Sequence, residues 1–208
     1  MIKEELTLDK LKSASLLIIS GSRQFYKQKD IDVILKYFEN GGSLYIALGE
    51  GGVEKNNTNL NDFLESYGVT FNSDCVIRNS YSKYFHPKEC YIEEGQYHSE
   101  ISKTLKQTDK KKKVLTNEDL LDADVTDQDD DKIKIIYPFG CTLNLKNNKV
   151  STLFNSGIIS YPHKRPLMTA VLSKSKKGRM IIVGSENFVD DDYFEKEDNK
   201  KITVSFFW

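Results

Sequence analysis

An apolar run at 16–19 ends in Ser20-Gly21-Ser22 and reads as a buried strand. From 27 to 40 the apolar positions change to helical spacing, with Ile31, Ile34, Leu35 and Phe38 on one face. Gly41-Gly42 then offers a left-handed stop. Residues 43–48 form a second apolar strand. Beyond a glycine-rich loop, Leu60, Phe63, Leu64 and Tyr67 mark a short amphipathic helix over 59–67, ended by Gly68, and 69–78 reads as one or two short strands. Strand, helix, strand, helix, strand with short linkers predicts parallel pairing with helices on both faces. The expected fold class is therefore α/β, a doubly wound, mostly parallel sheet with added β-hairpins.

The regular pattern breaks over 81–94, which is aromatic and polar. A helix is expected over 97–106. The basic run 110–113 and the acidic run 118–131 predict a flexible, solvated insertion near 107–131, with a docking tail as the alternative. Structure resumes at 132. A strand over 133–137 is ended by Pro138-Phe139-Gly140. Strands at 141–145 and 150–154 flank Lys146-Asn147-Asn148-Lys149, a hairpin turn candidate, and 167–172 and 180–183 flank a second hairpin connection. The alternation of Ile202, Val204, Phe206 and Trp208 allows a strand, but the acidic stretch 190–198 before it favours a terminal helix.

Composition narrows the classes. The chain has 208 residues, 38% hydrophobic and 29% charged, which suits one domain over 1–208 with a wet surface. A formal net charge of -1 gives no global attraction for nucleic acid or anionic lipid, so neither is expected as a partner. No apolar run approaches the roughly 20 residues of a membrane span, so no membrane insertion is expected. The start has no apolar signal-peptide core. Cys75, Cys90 and Cys141 are odd in number and far apart, which points to free thiols in a reducing compartment. His86, His98 and His163 lack metal-ligand spacing, and no metal or cofactor is expected.

Candidate chemistry starts at the loop after 43–48, where Gly49, Glu50, Gly51 and Gly52 sit at the carboxyl end of a strand. Open α/β sheets place ligands there. However, the third glycine of a dinucleotide fingerprint is replaced by the Val53-Glu54 continuation, no Gly-Lys-Ser/Thr follows, and Glu50 would meet a phosphate with its own charge. A tight turn needing positive φ is the plainer reading. Ser185 follows a strand without the second glycine of a nucleophile elbow, and Cys141 stands at a hairpin entry, the wrong context for one. Asp190-Asp191-Asp192 has oxygen ligands but not the spacing of a calcium loop, so capping acids are expected. No catalytic residue is expected. The least ordinary stretch holds Tyr81, Lys83, Tyr84, Phe85, His86 and Lys88. As plain structure it is a loop with Tyr84 and Phe85 packed on the sheet edge. As function it is a recognition surface of aromatic residues with a few charges.

The motifs YSKYFHPKE, ALGEGG, NLNDFLESYGV, YPFGCTLNL and FEKEDNKKI occur in order. Together they resemble the amino-terminal GIFT domain of the intraflagellar transport protein 52 family, over roughly 6–208 and interrupted by the charged insertion. The resemblance implies a fold like flavodoxin and class I glutamine amidotransferases. It also implies a non-catalytic scaffold role in complex B of ciliary trains, with other complex B subunits as partners, located at the cilium or flagellum and basal body on the cytoplasmic side. It implies further that the family's first strand and helix precede Met1 and that a linker and carboxyl-terminal region follow Trp208. Glu50, Arg78, His86 and Lys88 match family motif positions without a chemical role attached. Two alternatives stand beside this reading. One is a module for a small carbohydrate or nucleotide at the crevice of Gly49, Glu50, Gly51, Gly52 and Ser185. The other is a degenerate hydrolase using Ser185 or Cys141.

Overall fold

The computed structural model describes residues 6–80, 83–93, 97, 133–146 and 150–207. The insertion near 107–131, the expected helix beyond Tyr97, the turn residues 147–149 and Tyr81 lie outside the described residues.

The first ninety residues begin as the pattern predicts. A short helix, α1 (Leu8–Leu11), precedes β1 (Leu16–Ser20), α2 (Gln28–Glu39) and β2 (Ser43–Ala47). Strand β1 runs parallel to β2, with Leu16 opposite Ser43 and Ser20 opposite Ala47. Helix α2 buries Ile31, Ile34 and Phe38 of the expected face, with Tyr37 also in the core and Leu35 only partly buried, and each buried side chain contributes about 1.5–3 kcal/mol by leaving water. Next come α3 (Gly52–Lys55), α4 (Leu60–Leu64), a 3₁₀ turn at Glu65–Tyr67, and β3 (Val69–Phe71).

From β3 onward the doubly wound expectation fails. Strand β3 does not join β1 and β2; it pairs antiparallel with β7 (Leu143–Leu145). The place beside β2 goes to β11 (Arg179–Val183), parallel and matched over five residue pairs from Arg179 opposite Ser43 to Val183 opposite Ala47. A three-residue strand offers fewer ladder bonds and less apolar area than β11, whose Met180, Ile182 and Val183 are fully buried. Strand β10 (Pro166–Leu172) returns antiparallel to β11, and β8 (Ser151–Asn155) lies antiparallel to β10. The main sheet, in the order β1-β2-β11-β10-β8, is thus mixed. The two-stranded ladders β3–β7, β4 (Ile77–Arg78) with β9 (Ser160–Tyr161), and β5 (Glu89–Ile92) with β6 (Ile135–Pro138) are all antiparallel. The fold is a mixed, mostly antiparallel α/β arrangement, not a flavodoxin-like one.

Period-two alternation along β2 sets the layers. Leu44, Ile46 and Leu48 face one core with α2 and α4, while Tyr45 and Ala47 face the other. Helices and the β3–β7 ladder cover the first face. The second is covered by the β5–β6 ladder, through Cys90, Ile92, Ile135 and Tyr137, and by Ile202 of the terminal helix. That helix, α6 (Asn199–Phe207), follows a 3₁₀ turn at Glu186–Val189 and α5 (Asp191–Phe194), as the acidic lead-in predicts.

The two expected hairpins part ways. The β10–β11 connection is a hairpin, closed by the Ser173 N–H to the Gly178 carbonyl at 3.0 Å and tied to α2 because the Glu39 carboxylate accepts the Lys174 and Ser175 N–H groups. The segments around 146–149 are not paired with each other: β7 joins β3 and β8 joins β10. Leu143 belongs to the first core and Leu153 and Phe154 to the second, so the two strands serve opposite faces.

Candidate functional site

Both stretches singled out in the sequence flank one point, Phe139, in the turn after β6. The Glu50 N–H donates to the Phe139 carbonyl at 2.8 Å, and the Phe139 N–H donates to the Lys88 carbonyl at 2.9 Å. The Lys88 ammonium completes the triangle on Glu50 Oε2 at 2.6 Å. The glycine loop and the Lys83–Lys88 segment are therefore one constellation, separated by nearly forty residues of chain. Phe139 itself has φ +46°, an unusual value for a phenylalanine, and the His86 ring packs on it at 5.1 Å between centroids.

The Glu50, Gly51 and Gly52 N–H groups are committed to the protein. Besides Glu50, the Gly51 N–H donates to the Asp74 carbonyl at 2.7 Å and the Gly52 N–H to the Gly49 carbonyl at 3.3 Å. The Asn56 side-chain amide donates to the Gly52 carbonyl at 2.7 Å. A phosphate cradle needs N–H groups aimed at the ligand; these point at carbonyls instead. Gly51 and Gly52 adopt φ +74° and +55°, and a Cβ on Gly52 would run into the Asn72 carbonyl oxygen, so the glycines are needed for a left-handed turn against β3.

Glu50 is held charged. Burial opposes its ionisation, but bonds from Lys55, Lys88 and the Cys75 thiol outweigh that and bring the carboxyl down to about 2. Burial and the same carboxylate push the Cys75 thiol up to about 12, which leaves it protonated and unreactive.

The crevice at the strand ends is filled as well. Arg23, in the loop after β1, grips Glu186, just after β11, through two bonds of 2.7 and 3.2 Å. A Cβ on Gly49 would stand 3.1 Å from Glu186 Oε1, so this carboxylate occupies the space beside the loop. Ser185 is buried and directs its hydroxyl at the Pro138 carbonyl, not at a base. Cys141 is buried, and burial raises its thiol far above the ordinary value. Asp190, Asp191 and Asp192 are exposed around the start of α5. Among the described residues, no group of three or more His, Cys, Asp or Glu side chains is placed to hold a metal, and no helix is long and apolar enough to cross a membrane.

The aromatic stretch divides into two roles. Tyr84 is anchored: its hydroxyl donates to Glu197 Oε1 at 2.5 Å, its ring meets Tyr91 at 6.2 Å, and the Lys196 ammonium lies 5.7 Å from its centroid. Burial and the Glu197 carboxylate keep its phenol protonated. Lys83 reaches the same Glu197 oxygen at 2.6 Å. Phe85 does not pack on the sheet edge as expected; it is 90% exposed, while its carbonyl accepts a bond from Arg78 Nη2 at 3.1 Å. His86 is exposed with its Nδ1 accepting the Lys88 N–H, and Tyr81 lies outside the described residues. Sequence reasoning missed Arg23, Asp74, Phe139, Glu186 and Glu197. The Pro138-Phe139-Gly140 turn and the strand-end position of Glu186 carried a signal; Arg23, Asp74 and Glu197 carried none, because their partners are distant in sequence.

Residues 1–208 match the family described as IFT52 GIFT domain. The chain is 34% identical over 208 residues to the intraflagellar transport protein 52 homolog of Homo sapiens, and 34% identical over 209 residues to that of Mus musculus. These alignments cover 100% of this chain but 46% and 47% of the relatives, so the chain spans about half their length. A solved structure described as the mmIFT52 N-terminal domain superposes with a TM-score of 0.83 and 33% identity, covering 99% of this chain and 81% of that one. The cytoplasmic protein STM1381 from Salmonella typhimurium LT2 gives a TM-score of 0.51 at 14% identity over 99% of this chain and 74% of that one, a likeness of fold alone. A family match along the whole sequence and a third of positions shared with those relatives lead to one conclusion: the chain belongs to the IFT52 GIFT domain family.

Proposed function

We propose that this chain is a non-catalytic structural domain of an intraflagellar transport complex B subunit, supporting the assembly of ciliary or flagellar transport trains through contacts with other complex B subunits. The observation that carries the reading is the family match from residue 1 to residue 208. The strand-end crevice supports it, because the Glu50, Gly51 and Gly52 N–H groups and the Ser185 hydroxyl bond main-chain carbonyls, and Glu50 and Glu186 pair with Lys88 and Arg23. The ligand-binding and hydrolase alternatives gain nothing from this geometry. In this proposal the chain is one domain whose exposed loops make the contacts, with Lys83, Phe85, His86 and Lys88 among the surface residues, and it acts at the cilium and basal body on the cytoplasmic side. A pull-down with purified complex B subunits tests the reading. Recovery of complex B subunits on the immobilised chain supports it, and equal recovery on bare resin overturns it.

A further inference from the structure

The β4–β9 ribbon presents an apolar face to solvent. Ser160 of β9 is buried, so its neighbours in the strand alternation, Ile159 and Tyr161, point outward. They are 45% and 56% exposed, and Ile158 beside them is 56% exposed. Across the ladder Ile77 stands opposite Tyr161, and the Asn79 N–H donates to the Ile159 carbonyl at 2.8 Å. Arg78, opposite Ser160 and buried like it, turns to the inner side of the ribbon and bonds the Phe85 carbonyl there, so the 90% exposed Phe85 is not part of this face. Three large apolar side chains exposed together, Ile158, Ile159 and Tyr161, mark a surface that a partner would cover.

The chain after β9 changes the meaning of this face. His163 follows Tyr161, their rings meeting edge-on at 5.8 Å, and Lys164 and Arg165 come next, all three exposed. The loop is fixed: Ser156 donates to the Arg165 and Pro162 carbonyls and its hydroxyl accepts the Arg165 N–H. Among the described residues no carboxylate pairs with Lys164 or Arg165, although most other lysines near candidate sites are paired. A rigid aliphatic and aromatic face bordered by unpaired cations has a definite complement, since charge at the rim selects a partner of opposite sign while apolar anchors supply affinity.

We propose that this face docks an acidic protein segment carrying aliphatic residues, supplied by a partner subunit. The inference rests on the interaction role proposed above and names the chemistry of the partner. A nucleic acid is disfavoured by the net charge of -1 and by the isoleucines, which have no ring on which a base could stack.

The probe is a fluorescein-labelled fifteen-residue synthetic peptide alternating Asp or Glu with Leu, titrated against the full 208-residue chain by anisotropy. Saturable binding is expected, weakened about tenfold by K164E/R165E and by I159S/Y161S. K174E/K176E, in the distant β10–β11 turn, is expected to leave it unchanged. Thermal unfolding monitors each variant; if I159S/Y161S fails to fold, the exposed K164E/R165E pair and I158S decide. No binding by the wild-type chain overturns the proposal, as does equal binding by K164E/R165E. Equal affinity for a peptide with Ser in place of Leu, or for a single-stranded oligonucleotide, reduces the face to a nonspecific cation patch and also overturns it. Tenfold tighter binding after deletion of 107–131 assigns the face to the chain's own acidic run and overturns a partner in trans. The complex B pull-down is run with the same variants. Recovery unaffected by K164E/R165E leaves the structural role standing and sinks only this face; no recovery by a wild-type chain that binds the peptide does the reverse.

Discussion

The glycine loop around Glu50 and the outer face of the β4–β9 ribbon are opposites in how their polar and apolar groups are used. At the loop, main-chain donors and charged side chains are turned inward onto each other, and the space a ligand would take holds the Arg23–Glu186 pair. At the ribbon, apolar side chains and the cations of Lys164 and Arg165 are turned outward, while Ser156 ties the loop backbone at Pro162 and Arg165. A group that already satisfies its partners within the fold stabilises the fold; a group that does not is available to something else. The strand-end crevice is thus held by structural contacts, and the face proposed for a partner lies elsewhere.

Substitutions should separate the two. The largest effect is expected from Gly52→Val. It forces a β-branched residue into φ +55° and against the Asn72 carbonyl, for a loss of roughly 2–5 kcal/mol in denaturant unfolding. A stability equal to wild type would show that the turn relaxes freely and would return the loop to the list of adaptable sites. Glu50→Gln comes next. Its carboxyl lies at about 2 in the fold against an ordinary 4.5, so the folded state is favoured while the group is ionised in both states. With its lysine partners partly exposed, the loss at neutral pH is on the order of 2 kcal/mol. Because the pKa is lowered on folding, this contribution is fully present above 4.5 and lost as pH falls toward 2, so unfolding midpoints of wild type and Glu50→Gln should converge across that window. Parallel curves would mean the carboxylate is not the cause.

Glu186→Gln sharpens the same side of the comparison with a smaller change. Arg23 is half exposed, and its bidentate pair should contribute about 0.5–1 kcal/mol, read as a small drop in midpoint that salt partly masks in the wild type. Beyond the loop, Phe85→Ser should leave stability within about 0.5 kcal/mol of wild type, because the ring is in solvent and the bond from Arg78 is to the carbonyl. A loss above that would place Phe85 with the structural residues and erase the contrast.

The sequence was most legible where contacts are local. Apolar spacing located α2, β1, β2 and α4 almost to the residue, and the acidic lead-in located α6. Missing fingerprint residues around Glu50 weaken the phosphate reading, and in the fold the Glu50, Gly51 and Gly52 N–H groups donate to carbonyls. Pairing was less legible. A strand's apolar alternation says which faces are buried, not which neighbour it takes, and so β3 was placed in the parallel sheet and β7 with β8 in a hairpin, each against the observed ladders. At the candidate site the aromatic run was visible, but its division into an anchored Tyr84 and a free Phe85 depends on Glu197, more than a hundred residues away.

By itself, the sequence determined the longer elements β1, α2, β2, α4 and the terminal helix, though not α1, α3, β5 or β9, and it determined that the glycines after β2 make a left-handed turn and which family the motif set resembles. Those follow from short-range sterics, from the periods of helix and strand, and from residue order. Only the tertiary structure decided that β11 takes the place beside β2, that Phe139 joins Lys88 to Glu50, and that Arg23 closes on Glu186. Each of these brings together chain segments far apart, and the choice among partners is made by total ladder length, buried area and charge pairing, which exist only once the chain is folded.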